Sequence, residues 1–229
     1  MSDSVGETGL KFFGVMTASI SHELKNRLAI INEHAGLLSD LLRMVPEGGQ
    51  VDLSRLDRIA HSVSEQVSLA NDIIRNLNRF AHIIDELWYE VDLGDLLGRC
   101  RALFSRLAAM QCVTLEVAVP ADPVRVGTSP FLLLNLLWLC VYELARASTQ
   151  PRTVTLRLAR VGDGVRLEVE SLGGGGEAAP PRVSEEMSKL AETLRADVSC
   201  PAGAHRFSLD LPAGPAAGYG NDTEEERVI

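Results

Sequence analysis

The sequence is poor in features that mark several large classes of protein. Four cysteines occur in 229 residues, and none of them forms a CxxC pair. We therefore expect free thiols in a reducing compartment rather than a disulfide framework or a zinc site. The cysteines are Cys100, Cys112, Cys140 and Cys200.

Signals for export or membrane insertion are also missing. The N-terminus has no basic segment followed by an apolar core, and the most apolar run, 131–145, is short and contains Asn135 and Glu143. A formal net charge of −9 argues against nucleic acid or an anionic membrane as the main partner, because both select basic surfaces. We expect a cytoplasmic protein that binds neither.

Helical periodicity dominates the first ninety residues, which contain a single proline at position 46. Apolar residues recur at three- and four-residue steps along two segments. Between them, PEGGQ (46–50) breaks the pattern, and Asp52 is a suitable N-cap for the second helix. The pattern predicts two long antiparallel helices. The first stripe is Phe13, Met16, Ile20, Leu24, Leu28, Ile31, Ala35, Leu38 and Leu42, and the second is Leu56, Ile59, Val63, Val67, Ala70, Ile74, Leu77, Ala81 and Ile84.

A hairpin of two helices shields such stripes on one side only. A second copy of the chain would complete a four-helix bundle, so we predict a homodimer. The alternative is that the second domain folds back and covers the stripe.

From about residue 91 the pattern changes to alternating helices and strands. The turn GDG (162–164) predicts a β-hairpin, and the Gly/Pro-rich stretch 173–181 predicts a loop. Helices are predicted over 93–108, 130–147 and 184–195, and strands over 113–119, 153–159, 165–170, 196–200 and 206–211. The predicted fold class is α+β: a helical hairpin (1–90), an α/β sandwich (91–213) and an acidic disordered tail (214–229).

One segment of the first helix, Ser21 to Leu28, combines residues suited to nucleophilic chemistry. His22 lies about 200° around the helix from the nearest stripe residues, so it is predicted to face solvent, with Ser19 and Asn26 on the same ridge. A neutral imidazole can attack phosphorus when an acceptor holds its other N–H, and Glu23 could supply that acceptor. Asn26 could position a water or a partner's carboxylate.

The simpler alternative for His22 and Glu23 is a solvated surface pair. However, SHELKN (21–26) resembles the H-box of histidine kinases, and it lies in the first helix of a hairpin, as in that family. The resemblance implies that His22 is the phosphoacceptor, Glu23 its acid/base and orienting partner, and Asn26 a positioning residue used in dephosphorylation.

The family usually has proline where this chain has Arg27. The change removes a helix kink and places a cation near the site. Ser19, Lys25 and Arg27 are thus candidate contacts for phosphate or for a partner protein. The other histidines lack this context, and we predict no metal site. They are His34, His61, His82 and His205.

The order of elements over 91–213 is similar to the Bergerat-type ATPase domain of histidine kinases. In that family the N-box carries a second Asn that binds magnesium, but here Asn135 is followed by Leu139 at that place, and leucine offers no oxygen to a hard cation. Ser171 stands where an adenine-binding Asp belongs, and no GxGL sequence occurs. Asn135, Leu139 and Ser171 are therefore interpreted as a vestigial nucleotide site that does not bind ATP.

These features favour a histidine phosphotransferase that passes a phosphoryl group between response-regulator aspartates through His22. It would bind receiver domains, which supply Mg²⁺, and need no cofactor of its own. One alternative is a non-catalytic pseudokinase that regulates a kinase or response regulator. The other is an ATP-dependent sensor histidine kinase with an unusual pocket.

Overall fold

The computed structural model describes residues 2–44, 52–146, 152–172 and 180–212. The predicted break at 46–50, most of the predicted loop 173–181 and the predicted tail 214–229 lie outside these ranges. By internal contacts the chain forms two compact units, Val15–Ala81 and Met1–Gly14 together with His82–Ile229. The predicted division lies near residue 90, whereas by contacts the hairpin unit ends at Ala81 and the first turns of the first helix cluster with the second unit.

Two long helices form the hairpin unit. Helix α1 spans Ser2–Met44 and helix α2 spans Leu53–Ala81, followed by a short 3-10 helix at His82–Ile84. Asp52 caps α2 as predicted, because its Oδ1 accepts a hydrogen bond from the Ser54 backbone N–H at 2.9 Å. Hydrogen bonds from Ser54 also lower the pKa of Asp52. No helix in the described ranges is long and apolar enough to cross a membrane.

The hairpin buries part of its apolar stripe, half-buries a second part and exposes a third. Met16, Ile20, Ile59 and Ala70 are buried as predicted. The buried positions otherwise fall one residue away from the prediction, at Phe12 and Leu41 rather than Phe13 and Leu42. The large apolar stripe residues that are exposed within the hairpin unit, which we call the exposed apolar face, are Leu28, Leu42, Val67 and Ile74.

The second unit contains two sheets. Strands β1 (Tyr89–Asp92) and β3 (Arg125–Thr128) pair antiparallel in a two-stranded sheet that the sequence analysis missed. The larger sheet has the order β2-β4-β5-β7-β6, with β2 parallel to β4 and the other pairs antiparallel. Its strands are β2 (Val113–Ala118), β4 (Arg152–Val161), β5 (Gly164–Leu172), β6 (Asp197–Ser199) and β7 (Arg206–Leu211).

Three helices contact the larger sheet and one another: α3 (Leu93–Ala109), α4 (Pro130–Arg146) and α5 (Glu185–Leu194). Asp92 and Ser184 cap α3 and α5 by accepting hydrogen bonds from backbone N–H groups of the first turns. Helix α4 is apolar nearly all round, which is typical of a helix enclosed by its neighbours. Its buried residues include Leu133, Leu134, Leu136, Leu137 and Leu144.

The other face of the sheet is polar. Arg166 makes two hydrogen bonds to Asp210 across β5 and β7, at 2.7 and 2.8 Å. Further ion pairs join Arg157 to Glu170 and Arg206 to Glu168. One packed face and one charged face give the alternation expected of an antiparallel sheet under a single helix layer. The structure thus confirms an α+β fold with an N-terminal hairpin and a sheet-containing unit.

The first turns of α1 pack on the helices of the second unit. Phe12 is buried, with its ring centroid 6.2 Å from that of Phe104 and 5.6 Å from that of Phe131, both in edge-on geometry. Gly9 permits this approach, because a Cβ at that position would lie 3.1 Å from Phe131 Cε1. The aromatic cluster explains why Met1–Gly14 belongs to the second unit.

Candidate functional site

The residues of the SHELKN segment lie within α1 in the hairpin unit. His22 and Asn26 are exposed on the surface of α1, as the helical geometry predicts, and Lys25 is exposed as well. Ser19 is different: the sequence predicts it on the exposed ridge, but it is only 5% exposed. Its neighbour Ile20 is buried too, so the helix turns both residues inward. Ser19 is therefore corrected from a surface contact for phosphate or a receiver to a buried residue.

Glu23 is linked to the second helix through Arg27. The Glu23 Oε1 lies 3.9 Å from Arg27 Nη2, one helical turn away. Arg27 Nη1 donates a hydrogen bond of 3.1 Å to Gln66 Oε1 on α2. The guanidinium group therefore bridges the helix that carries His22 and the helix opposite it. We call Glu23, Arg27 and Gln66 the bridging network.

Gln66 is a member of this network that the sequence analysis missed. It is 9% exposed, and it lies seven residues after the buried Ile59 and four before the buried Ala70. Val67 is the neighbouring residue predicted on the stripe, but Val67 is exposed. The spacing of Gln66, seven residues after Ile59 and four before Ala70, is the sequence signal that indicates its burial. The signal was missed because the side chain of Gln66 is polar.

The segment can support nucleophilic chemistry by an exposed imidazole beside paired charges. An accessible His22 nitrogen can approach an electrophilic phosphorus on another molecule. The guanidinium of Arg27, one turn along the helix from Glu23, adds fixed positive charge, which favours phosphate oxygens. His22, Glu23 and Arg27 all lie in the hairpin unit.

The residues interpreted as a vestigial nucleotide site lie on α4 and β5. Asn135 is 1% exposed, and neither its Oδ1 nor its Nδ2 has a hydrogen-bond partner within the described part of the chain. Leu139, one turn further along α4, is half-buried. Ser171 is also half-buried, near the end of β5.

A buried arginine lies beside Ser171. Arg152 is 5% exposed, and its Nη1 donates hydrogen bonds to the Leu144 carbonyl at 2.6 Å and to Ser171 Oγ at 3.4 Å. Burial lowers the pKa of Arg152, but an arginine keeps its proton at neutral pH. A cation at the end of α4 also offsets the negative end of the helix dipole. The hydroxyl of Ser171 thus faces a positive charge from within the protein.

The four cysteines are free. Cys100 and Cys140 are buried in the second unit, and burial raises the pKa of both thiols. Cys112 is exposed and Cys200 is half-buried. Among the described residues, no cluster of three or more His, Cys, Asp or Glu side chains is arranged to hold a metal ion.

Comparisons with known proteins find similarity in solved structures only. No family model matches the chain, and no curated protein sequence matches it. Histidine kinases are among the solved structures that match. Acinetobacter baumannii histidine kinase AdeS matches at 12% identity and a TM-score of 0.46, over 84% of this chain and 98% of its own.

Two further matches have similar values. Histidine kinase ThkA, in a complex with response regulator protein TrrA, matches at 18% identity and a TM-score of 0.45, over 90% of this chain and 63% of its own. The mycobacterial sensor histidine kinase MprB matches at 15% identity and a TM-score of 0.43, over 56% of this chain and 98% of its own. TM-scores below 0.5 at such identities are too low to assign a role to this chain.

Proposed function

We propose that this protein is a histidine phosphotransferase of two-component signalling. It takes a phosphoryl group from the aspartate of one receiver domain onto His22 and passes it to the aspartate of another. The observation that carries this proposal is the exposed His22 on α1, next to Glu23 and in the same helical segment as Arg27. The resemblance of SHELKN to the H-box supports the same role.

The transfer step needs few groups from this chain. A ring nitrogen of neutral His22 attacks the phosphorus of the aspartyl phosphate, and an N–P bond forms. The P–O bond to aspartate breaks, and its electron pair leaves with the carboxylate. In this proposal Glu23 takes the proton from the other ring nitrogen, and the reverse sequence phosphorylates the second receiver. Receiver domains bring the Mg²⁺ that neutralises the phosphoryl oxygens.

We further propose that the chain binds no ATP and that its α/β unit is a degenerate ATPase domain that docks partners. Leu139 provides no magnesium ligand, and Ser171 is hydrogen-bonded to Arg152. A carboxylate at this position would accept a hydrogen bond from the adenine amino group. The Arg152 guanidinium beside Ser171 is itself a cationic donor, so it disfavours the binding of that amino group. The phosphoryl group would therefore come from another protein.

A homodimer is the proposed assembly. The exposed apolar face lies along both helices of the hairpin, at Leu28, Leu42, Val67 and Ile74. The same face on a second copy is complementary by symmetry, and pairing the two hairpins gives a four-helix bundle. Such a bundle would leave the exposed His22 ridge accessible to receivers.

The proposal is tested by mixing the protein with a panel of receiver domains carrying labelled aspartyl phosphate. We expect label to move to the wild type and not to His22→Ala, with His34→Ala as the matched control that still accepts it. Glu23→Gln is expected to slow transfer about 10- to 100-fold with little change in receiver affinity. Tight receiver binding without transfer would replace this function with that of a non-catalytic regulator.

A further inference from the structure

Gln66 occupies a position where an apolar residue would be expected. It lies in register with Ile59 and Ala70 on the inward side of α2, and it is buried. A buried amide is retained at low cost only when its polar atoms are paired. The pairing here is with Arg27 Nη1 on the other helix.

Arg27 is held from two sides. Gln66 accepts from its Nη1, and the Glu23 carboxylate lies 3.9 Å from its Nη2. A planar guanidinium can serve two partners in fixed directions, which a lysine ammonium cannot do in the same way. Without Gln66, the long Arg27 side chain would be free to take up solvent-directed rotamers.

The distance between Glu23 and Arg27 leaves the carboxylate available. At 3.9 Å the pair is an ionic contact and is too long for a hydrogen bond. The attraction therefore restrains Glu23 while its lone pairs can still accept a proton from a neighbouring group. His22 is the adjacent residue in the chain.

We infer that Gln66 is a positioning residue for phosphotransfer: it fixes Arg27, which restrains Glu23 beside His22. This inference rests on the proposed role of His22 and deepens it. Gln66 acts on transfer from the opposite helix and from within the hairpin, where a receiver domain has no access to it. Its effect should therefore fall on the rate of the chemical step and not on receiver binding.

The test compares Gln66 variants in single-turnover transfer from a phosphorylated receiver domain that the wild type accepts. Gln66→Met keeps the length of the side chain and removes the acceptor. We expect it to lower the rate at saturating receiver about tenfold, as the loss of a hydrogen bond to a charged group would. The half-saturating receiver concentration should stay within about twofold of wild type, because the residue is buried.

Three further variants separate positioning from packing. Gln66→Glu keeps an acceptor for Arg27 and should recover most of the wild-type rate. Ile59→Met changes packing on the same stripe without touching the network, and should transfer at the wild-type rate. Arg27→Lys keeps the positive charge but removes the planar guanidinium that reaches two partners. It should lower the transfer rate about as much as Gln66→Met does.

Arginine side-chain NMR signals provide a readout independent of transfer. In the wild type, the Arg27 guanidinium should show restricted rotation, and Gln66→Met should release it. An unchanged rate in Gln66→Met, or a loss confined to receiver affinity, would overturn the inference while leaving the proposed function intact. Failure of the wild type to accept phosphate from any receiver, with Arg27 still restrained, would overturn the proposed function and the role of Gln66 in it.

Discussion

The two compact units differ in how completely they bury their apolar residues. In the α/β unit, helix α4 and the central strands form an enclosed core that includes Leu137, Val154 and Phe207. In the hairpin, Leu28 is 52% and Leu42 is 54% exposed. The α/β unit has a finished core, whereas the hairpin presents an apolar surface that a partner can cover.

The residues with a proposed chemical role are distributed in the opposite way between the two units. The residues proposed to transfer phosphate lie on the hairpin, where His22 is exposed. The residues that resemble a nucleotide site lie in the α/β unit, where Asn135 and Arg152 are buried. The unit with the incompletely buried apolar residues therefore carries the proposed activity, while the other unit encloses the polar side chains of Asn135 and Arg152.

The largest expected effect comes from placing charge on the exposed apolar face. Leu28→Glu should weaken self-association about 100-fold or more, because the symmetric interface loses two buried leucines and gains two carboxylates. Mass measurement by sedimentation or light scattering at micromolar protein would detect monomers. Glu33→Lys, which changes a charge at an exposed position about 140° around the same helix from Leu28, is the control and should leave the assembly unchanged. A monomeric wild type would contradict the proposed dimer.

The next effect concerns the finished core of the α/β unit. Leu137→Ala should lower the free energy of unfolding by about 2–5 kcal/mol, because the cavity forms in a tightly packed helix layer. Urea unfolding followed by the fluorescence of Trp138, on the same helix, would measure it. Leu87→Ala, at an exposed position of the same unit, should change stability by less than about 0.5 kcal/mol. Equal losses at both positions would contradict the contrast in packing.

A third prediction tests whether the nucleotide site can be restored. Ser171→Asp should pair with Arg152 and stabilise the unit by about 1 kcal/mol, without producing Mg-ATP binding in calorimetry. Ser171→Asn, whose side chain has the shape of aspartate without its charge, should not stabilise the α/β unit. If Ser171→Asp bound ATP, alone or with Leu139→Asn, the new carboxylate would be available to the nucleotide and not paired with Arg152.

The smallest effect is expected on the polar face of the sheet. The hydrogen bonds from Arg166 lower the pKa of Asp210 below its ordinary value of 3.8. The stabilisation is therefore present above about pH 4 and is lost as pH falls through the lowered pKa. Asp210→Asn should reduce the urea midpoint slightly at neutral pH, since the Arg166 and Asp210 side chains are 39% and 41% exposed and solvent screens the pair.

The same comparison over a series of falling pH values completes the Asp210 prediction. The difference in urea midpoint between wild type and Asp210→Asn should shrink as the pH falls below about 4, because protonation of the wild-type carboxyl group removes the ion pair with Arg166. Asp163→Asn, in the exposed turn between β4 and β5, should behave like wild type throughout. A difference that persists in acid would contradict the ion-pair explanation.

The sequence predicted the long elements well because their periodicity extends over many residues. Helix α4 was predicted over 130–147 and is found at Pro130–Arg146, and the hairpin of β4 and β5 follows the GDG turn. Strands β1 and β3 were missed because four residues are too few to establish an alternating pattern.

Within the candidate site, the exposure of His22 followed directly from its angle on the helix. The burial of Ser19 and Gln66 was not predicted, because both side chains are polar and each lies next to an apolar residue that was assigned to the stripe instead. Arg152 was missed for a related reason: arginines at strand ends are usually solvated, and only the fold brings this one to the Leu144 carbonyl.

The central claim is that phosphate reaches His22 from a receiver aspartate and not from ATP. The direct measurement incubates the protein in parallel with γ-labelled Mg-ATP and with a labelled phospho-receiver, and locates acid-labile label by mass spectrometry. The account predicts phosphohistidine at His22 from the receiver and none from ATP. Label on His22 from Mg-ATP alone would identify an active kinase and contradict the account.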